Sequence, residues 1–577
     1  MDRLPFGRDL KEKLKKKTMP TCIETTTANW ESISEQKRND IISAIPEDWI
    51  LKNIPSSEKE PNAKLYLDKV LPEAEQSITS LDTIELRDKI ANGELSSYEV
   101  CFAFCHRAAL AHQLVNCCIE IFFDKALERA KELDEILKAT GKPVGRLHGV
   151  PISLKDQVNL EGFDSSIGYA ALVGKPKRAD DVSLLAKILY NEGAVFYVKT
   201  AVPTAMMCVE TYSNINGYTT NSNNRNLSSG GSSGGEGSLI GCQGSVLGIG
   251  TDIGGSIRIP SALNGIYGLR PSHGRIPYMK VFNSYLGQEV MPSVIGPMSV
   301  SLKGLKLFTQ VVLDSKPWLW DPKSMPIPWR YDQITDQYSN KKLCFGVWKW
   351  DKLVMPHPPV LRAVDECVAA LKKAGHQVVE WDPPCRKSLV DIGLEVLSAD
   401  RYKEIEENCA KTGEPLFEAL RNLCVDSGSK QPIEVNAWWD ISERKYALQQ
   451  TYSEYWNNTV NSTGTGRPVD GIIAPVWCSA SYENDNSYKT PFNYTVPFNV
   501  LDFPSVVVPV LRSDKSIDLK DESYVPVDEI DNTVQEYYDA EKFDNMPVSV
   551  QVVGRRWEDE KALFMAEVLS ESLSSNP

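Results

Sequence analysis

Between residues 228 and 256 the chain holds 11 glycines and 7 serines in 29 positions, reading SSGGSSGGEGSLIGCQGSVLGIGTDIGGS. A flexible glycine-serine linker has no apolar pattern, yet this stretch embeds Leu239, Ile240, Val246, Leu247, Ile249 and Ile253. Those side chains can anchor in a core while the glycines let backbone N–H groups crowd around something small. A hydroxyl beside unblocked backbone donors is what acyl transfer needs.

The rest of the chain bounds the partners. Of 577 residues, 63 are Lys or Arg and 77 Asp or Glu, a net charge of -14. That balance argues against a nucleic-acid backbone as main partner. Acidic residues gather late, with 11 of them and three lysines in 514–544, which reads as a solvated loop or helix face. Thirteen cysteines include no Cys-x-x-Cys, so neither a zinc site nor a thioredoxin-like motif is indicated. Cys101, Cys105, Cys208, Cys344 and Cys367 sit in apolar runs that suit buried free thiols and a reducing compartment. The first 17 residues carry seven basic and three acidic side chains, with no signal-peptide core after them. No run of about 18 apolar residues occurs anywhere. The expectation is a cytoplasmic protein without a membrane segment, its basic start a solvated arm.

Periodicity predicts an α/β fold. Residues 30–49 read as a helix with an apolar stripe of Ile33, Ile41, Ile42 and Ile45. Ser96-Ser97-Tyr98-Glu99 is a capping box opening a helix to about Val115. A strand over 149–154 has Lys155 at its end, a helix over 181–190 follows, and a strand over 194–199 comes next. Later a strand over 342–348, a helix over 360–374 and a strand over 377–381 repeat the logic. The short apolar runs 472–476, 505–510 and 548–553 suit strands buried on both faces, and a helix over 558–573 follows the last. Helical text over 388–455 could cover an active-site mouth. The expected organisation is a helical arm over 1–75 packed on a single domain over 76–577.

Lys155, the loop Gly230-Gly231-Ser232-Ser233-Gly234 and Gly254-Gly255-Ser256 carry the candidate chemistry. A serine needs a base to take its proton. Only six histidines occur, and of these His148 and His273 alone fall near the serine-rich motifs. Gly230–Gly234 formally satisfies the G-x-S-x-G elbow, but the polar, turn-like residues 221–227 before it do not supply the required strand. No dinucleotide fingerprint or P-loop is present. Lys199, also at a strand end, is a decoy base expected to be solvated or snorkelling.

The block 230–271, with Gly-Val-Pro-Ile-Ser-Leu-Lys-Asp over 149–156, resembles the amidase-signature hydrolases. The likeness extends over nearly the full chain against fungal acetamidases, supported at 103–118, 195–203, 267–278, 355–364, 501–510 and 547–556. It implies one large α/β domain, a mixed, mostly buried sheet flanked by helices on both faces. It also implies a Ser-Ser-Lys triad: Ser256 as nucleophile, Ser232 as bridge, Lys155 as general base. Ile253, Gly254, Gly255 and Ser256 match the oxyanion-hole segment, Met206 a substrate-lining position, and Gly231–Ser232 a cis peptide. Asp252 and Arg258 are expected to support the nucleophile loop, and Ser233 to hydrogen-bond the lysine. Bringing a lysine near neutrality takes roughly 4 kcal/mol, within what burial supplies. The implied substrate is a small amide, with no cofactor, no metal and no nucleic acid, and self-association left open. Aryl, indole or fatty amides, an amidotransferase subunit, and a non-catalytic scaffold are the alternatives.

Overall fold

Eleven strands form one continuous mixed sheet. The computed structural model describes residues 29–425 and 431–575; the basic run ending at Lys17 lies outside them. In chain order the strands are β1 (Cys118–Ile121), β2 (Pro151–Lys155), β3 (Val195–Thr200), β4 (Leu247–Asp252), β5 (Tyr267–Arg270) and β6 (Val294–Ser299). Then come β7 (Cys344–Val347), β8 (Gln377–Glu380), β9 (Gly471–Pro475), β10 (Ser505–Arg512) and β11 (Pro547–Val553). Their order across the sheet is β1-β3-β2-β4-β6-β5-β10-β11-β9-β7-β8. The steps β3-β2-β4 and β9-β7-β8 are parallel, and the others antiparallel. Val506, Val507 and Val508 pair with Val552, Gln551 and Val550 at the middle of the sheet, where β-branched chains on both faces are covered.

Alternation along β9 shows that helices cover both faces. Ile473 packs with Val360, Ala363 and Leu563 from the helices Pro358–Lys373 and Asp559–Ser574. Its neighbours Ile472 and Ala474 join Tyr452, Trp456 and Phe498 on the opposite side, as a period of two requires. The α/β expectation, with a single sheet as core, holds.

Local signals place several elements well. The helix Ser97–Val115 starts with the expected box: Ser96 Oγ accepts from Glu99 N at 3.1 Å, and Glu99 Oε2 accepts from Ser96 N at 2.8 Å. The helix expected over 30–49 stops at Ser43 and resumes as a 3-10 turn over Glu47–Trp49, because Pro46 cannot continue it. Ile41, Ile45, Leu67 and Leu71 pack with Cys101, Cys105 and Tyr197, so the described part of the expected arm shares a core with the sheet. Over the segment 388–455 lie the helices Arg386–Leu397, Lys403–Ala410, Glu418–Val425 and Val435–Asn458, the first and last of which run a few residues beyond it. Among the described residues no helix is long and apolar enough to cross a membrane.

Candidate active site

Parallel β2 and β4 lie side by side, Leu154 opposite Ile249, and their carboxyl ends deliver Lys155 and Asp252 to one place. Such strand ends are where open α/β sheets bind ligands. Lys155 is fully buried, with Nζ 2.8 Å from Ser232 Oγ and 2.7 Å from Thr251 Oγ1. Thr251 in turn donates to Gln157 Oε1 at 2.6 Å. Gln157 Nε2 donates to Tyr278 Oη at 3.0 Å and Phe282 O at 2.9 Å, which fixes the amide's orientation. Burial pulls the Lys155 pKa down to about 7, against the opposing pull of Asp252, Glu236 and Asp156.

Ser232 reaches the lysine from the loop before the helix Gly234–Gly241. The Gly231–Ser232 peptide is cis, as the resemblance implied. A Cβ at Gly231 would lie 2.6 Å from Cys208 O, so the close approach of two backbones requires glycine. Ser233 N donates to Ser256 O at 3.2 Å and ties the two serine loops together.

The second loop is built on Asp252, which is buried with Arg258. Arg258 Nε and Nη2 meet the two carboxylate oxygens at 3.0 Å each. Asp252 Oδ1 also accepts from Gly255 N at 2.9 Å and Asn499 Nδ2 at 2.8 Å, and Oδ2 from Ile257 N at 3.2 Å. Burial opposes the charge, but Arg258, Arg270 and Asn499 override it and hold Asp252 well below the usual carboxylate range. Arg258 reaches on to Thr495 O and Gln551 Oε1, at 3.0 and 3.2 Å. Gly255 has φ +134, and a Cβ there would meet Ile259 Cδ1 at 2.7 Å. A Cβ on Gly254 would instead find its nearest neighbours, Val496 and Leu397, at 3.7 and 3.8 Å.

Ser232, Thr251, Ile253, Ser256 and Met206 line one small cavity. Met206 is held there by a turn in which Ala205 and Met206 both have positive φ, 61 and 59. The structure thus gathers Lys155, both serines, Met206 and Ile253. Among the described residues the N–H groups of Ile253, Gly254 and Ser256 bond no protein acceptor, whereas that of Gly255 is spent on Asp252.

Three expectations need correction or refinement. Ser233 does not bond the lysine: its Oγ exchanges bonds with the backbone C=O and N–H of Thr251, both at 3.3 Å, because its side chain turns onto the end of β4. Lys199 is not solvated. It is fully buried, with Nζ 3.0 Å from Ser165 Oγ and 3.5 Å from Asp156 Oδ1, because β1 and the loop over 164–165 close over it. His148 and His273 stand away from Ser256; His148 Nδ1 accepts from Val144 N at 3.0 Å, and His273 lines a different cleft. Thr251, Gln157, Asn499 and Thr495 are not among the residues expected from the sequence; Thr251, beside Asp252, and Gln157, two residues past Lys155, carry a local signal, whereas Asn499 and Thr495 carry none.

One group among the described residues has metal-ligand character: buried His112, Cys117 and Cys118. His112 Nδ1 accepts from Cys118 N at 3.1 Å, so the one lone pair of the neutral ring is already engaged by the backbone.

Comparison with known proteins gives the same picture. The family model described as Amidase matches residues 99–563. An acetamidase of Emericella nidulans is 43% identical over 550 residues, covering 95% of this chain and 99% of that protein. An acetamidase of Aspergillus oryzae is 40% identical over 553 residues, with 95% and 99% covered. Among solved structures, a fatty acid amide hydrolase superposes with a TM-score of 0.87 at 34% identity, covering 94% of this chain and 95% of that one. These likenesses and the sheet define a hydrolase of amide C–N bonds. The chain belongs to the amidase family.

Proposed function

We propose that the enzyme hydrolyses a small monocarboxylic amide of the acetamide kind to carboxylate and ammonia, through an acyl-enzyme on Ser256. The observation that carries this reading is the 2.8 Å contact of buried Lys155 with Ser232, beside Ser256 in the same small cavity. Because the Thr251 hydrogen goes to Gln157, Lys155 donates to Thr251 and keeps its lone pair for the Ser232 hydrogen. Ser232 passes its proton to Nζ as it takes the proton of Ser256, and Ser256 Oγ bonds the amide carbon. The carbonyl π pair moves onto oxygen, opposite the N–H groups of Ile253, Gly254 and Ser256. Collapse breaks the C–N bond, and the proton returns through Ser232 to the departing ammonia. Water then repeats the sequence, releasing the acid. Every proton is accounted for by groups of this chain.

The similarity to two acetamidases supports a short acyl group. The likeness to a fatty acid amide hydrolase favours a second reading, a long-chain amide. Eleven free cysteines among the described residues support a reducing, cytoplasmic setting. Ammonia release across acetamide, propionamide, benzamide, indole-3-acetamide and a long-chain amide tests the reading, with Ser256→Ala and Lys155→Ala alongside. Turnover of the short amides, abolished in both variants, is expected. Preference for the long chain would overturn the substrate, and activity surviving either substitution would overturn the triad.

A further inference from the structure

Glu236 is a fully buried acid that the proposed mechanism does not use. It stands in the first turn of the helix Gly234–Gly241. Gly248 is shaped around it: a Cβ there would fall 2.0 Å from Glu236 Oε2 and 2.6 Å from Ser153 Oγ. Among the described residues its carboxyl oxygens meet hydroxyls and no cation. Oε1 lies 3.0 Å from Thr200 Oγ1, and Oε2 lies 2.5 Å from Ser153 Oγ. Ser153 Oγ is also 2.8 Å from Ser245 Oγ, which is 3.0 Å from Leu247 O.

Counting hydrogens favours the protonated acid. The path Glu236–Ser153–Ser245–Leu247 O has three oxygen–oxygen contacts. If the carboxyl is ionised, the two serines supply two hydrogens, and one contact sets acceptor against acceptor. If Oε2 is protonated, each contact has its own hydrogen, running from the acid to Ser153, to Ser245, to the carbonyl. Thr200 then donates to Oε1, which is the C=O of the acid. A buried polar contact left without hydrogen is costly, and a buried charge without a counter-charge more so. The helix N-terminus favours the anion by a smaller amount.

The position matters for Lys155. Thr200 pairs with Lys155 across β2 and β3, so the carboxyl bonds the residue opposite the lysine. From β3, Tyr197 also feels this acid. The other carboxyls acting on Lys155 are already engaged, Asp252 with Arg258 and Asp156 with Lys199. Burial pushes the Glu236 carboxyl up to about 8, with Ser153, Thr200 and Lys155 opposing. We propose that Glu236 is held as a neutral carboxylic acid and is a positioning residue for Lys155, sparing it an anion that would keep it protonated. This rests on the reading of Lys155 as the base.

Glu236→Gln reproduces the hydrogen pattern of the acid, its NH2 donating to Ser153 and its oxygen accepting from Thr200. The infrared difference between wild type and Glu236→Gln at pH 7 should contain the C=O band of a protonated carboxyl. A carboxylate band in its place would overturn the proposal. Thr200→Val leaves the acid in place and should move that band to higher frequency by removing its donor; a band that stays put would overturn it too. In the pH profile of kcat/KM, Glu236→Gln should keep the acidic midpoint within about 0.3 pH of wild type. A fall of about one pH or more would mean that an anion had been removed, against the proposal. The infrared result does not depend on catalysis. Activity persisting in Lys155→Ala would sink the base reading while leaving the protonation of Glu236 separately decided.

Discussion

Replacing Lys155 by methionine should abolish activity and change stability in a way that depends on pH. In the unfolded chain the lysine titrates at 10.5, and in the fold at about 7. Between those values the unfolded chain holds a proton that the folded one lacks, so stability rises with pH over that window. The ordering is depressed folded value, unfolded value above it: the full stability is present above 10.5 and is lost as pH falls toward 7. Integrated, the penalty is about 4 kcal/mol at pH 7 and about 1 kcal/mol at pH 9.5. Methionine carries no such penalty but forfeits the contacts to Ser232 and Thr251, at about 1 kcal/mol each. The variant should therefore be more stable than wild type by about 2 kcal/mol at pH 7 and less stable by about 1 kcal/mol at pH 9.5. The change of about 3 kcal/mol between the two pH values is free of the lost hydrogen bonds, which cancel. Denaturant midpoints of both proteins at both pH values measure it. A difference that stays constant from pH 7 to 9.5 would mean that Lys155 is charged in the fold, and a charged lysine cannot take the proton from Ser232.

Two further substitutions test the surroundings. Asp252→Asn leaves Arg258 as a buried cation without its partner and should cost about 3–5 kcal/mol in unfolding free energy; a loss below about 1 kcal/mol would show that the pair does not hold the nucleophile loop. Met206→Ala opens the cavity beside Ser256, and the ratio of kcat/KM for butyramide over acetamide should rise by about tenfold or more, since a methylene in a fitted pocket discriminates on that scale. An unchanged ratio would remove Met206 from the acyl site.

Much of the site was legible because its signals are local. Lys155 ends an apolar strand, Ser232 and Ser256 sit among glycines that the backbone approaches need, and Asp252 and Arg258 are six residues apart. What escaped depends on which side chains meet across strands. Lys199 reads like a solvated strand end, yet β1 and a loop 35 residues earlier cover it. Ser233 adjoins the bridging serine in sequence, but its hydroxyl is taken by the Thr251 backbone, and Thr251 itself holds the lysine. Asn499 and Thr495 reach the loop from 247 and 237 residues away.

The three carboxyls near Lys155 explain why this lysine, rather than Lys199, can be the neutral one. Both lysines are fully buried, and burial lowers both. Lys199 has Asp156 within 3.5 Å, and two more acids, Glu120 and Asp164, favour its charge. Around Lys155 each acid is countered by a different route. Asp252 is matched by a two-pronged arginine, Asp156 by Lys199 itself, and Glu236, on our proposal, by a proton held in a chain of serines. Lys155 is left with hydroxyl partners alone, at 2.7 and 2.8 Å. Lys199 thus has a purpose that its own sequence context hides: by engaging Asp156 it removes one of the anions that would otherwise hold a proton on its neighbour.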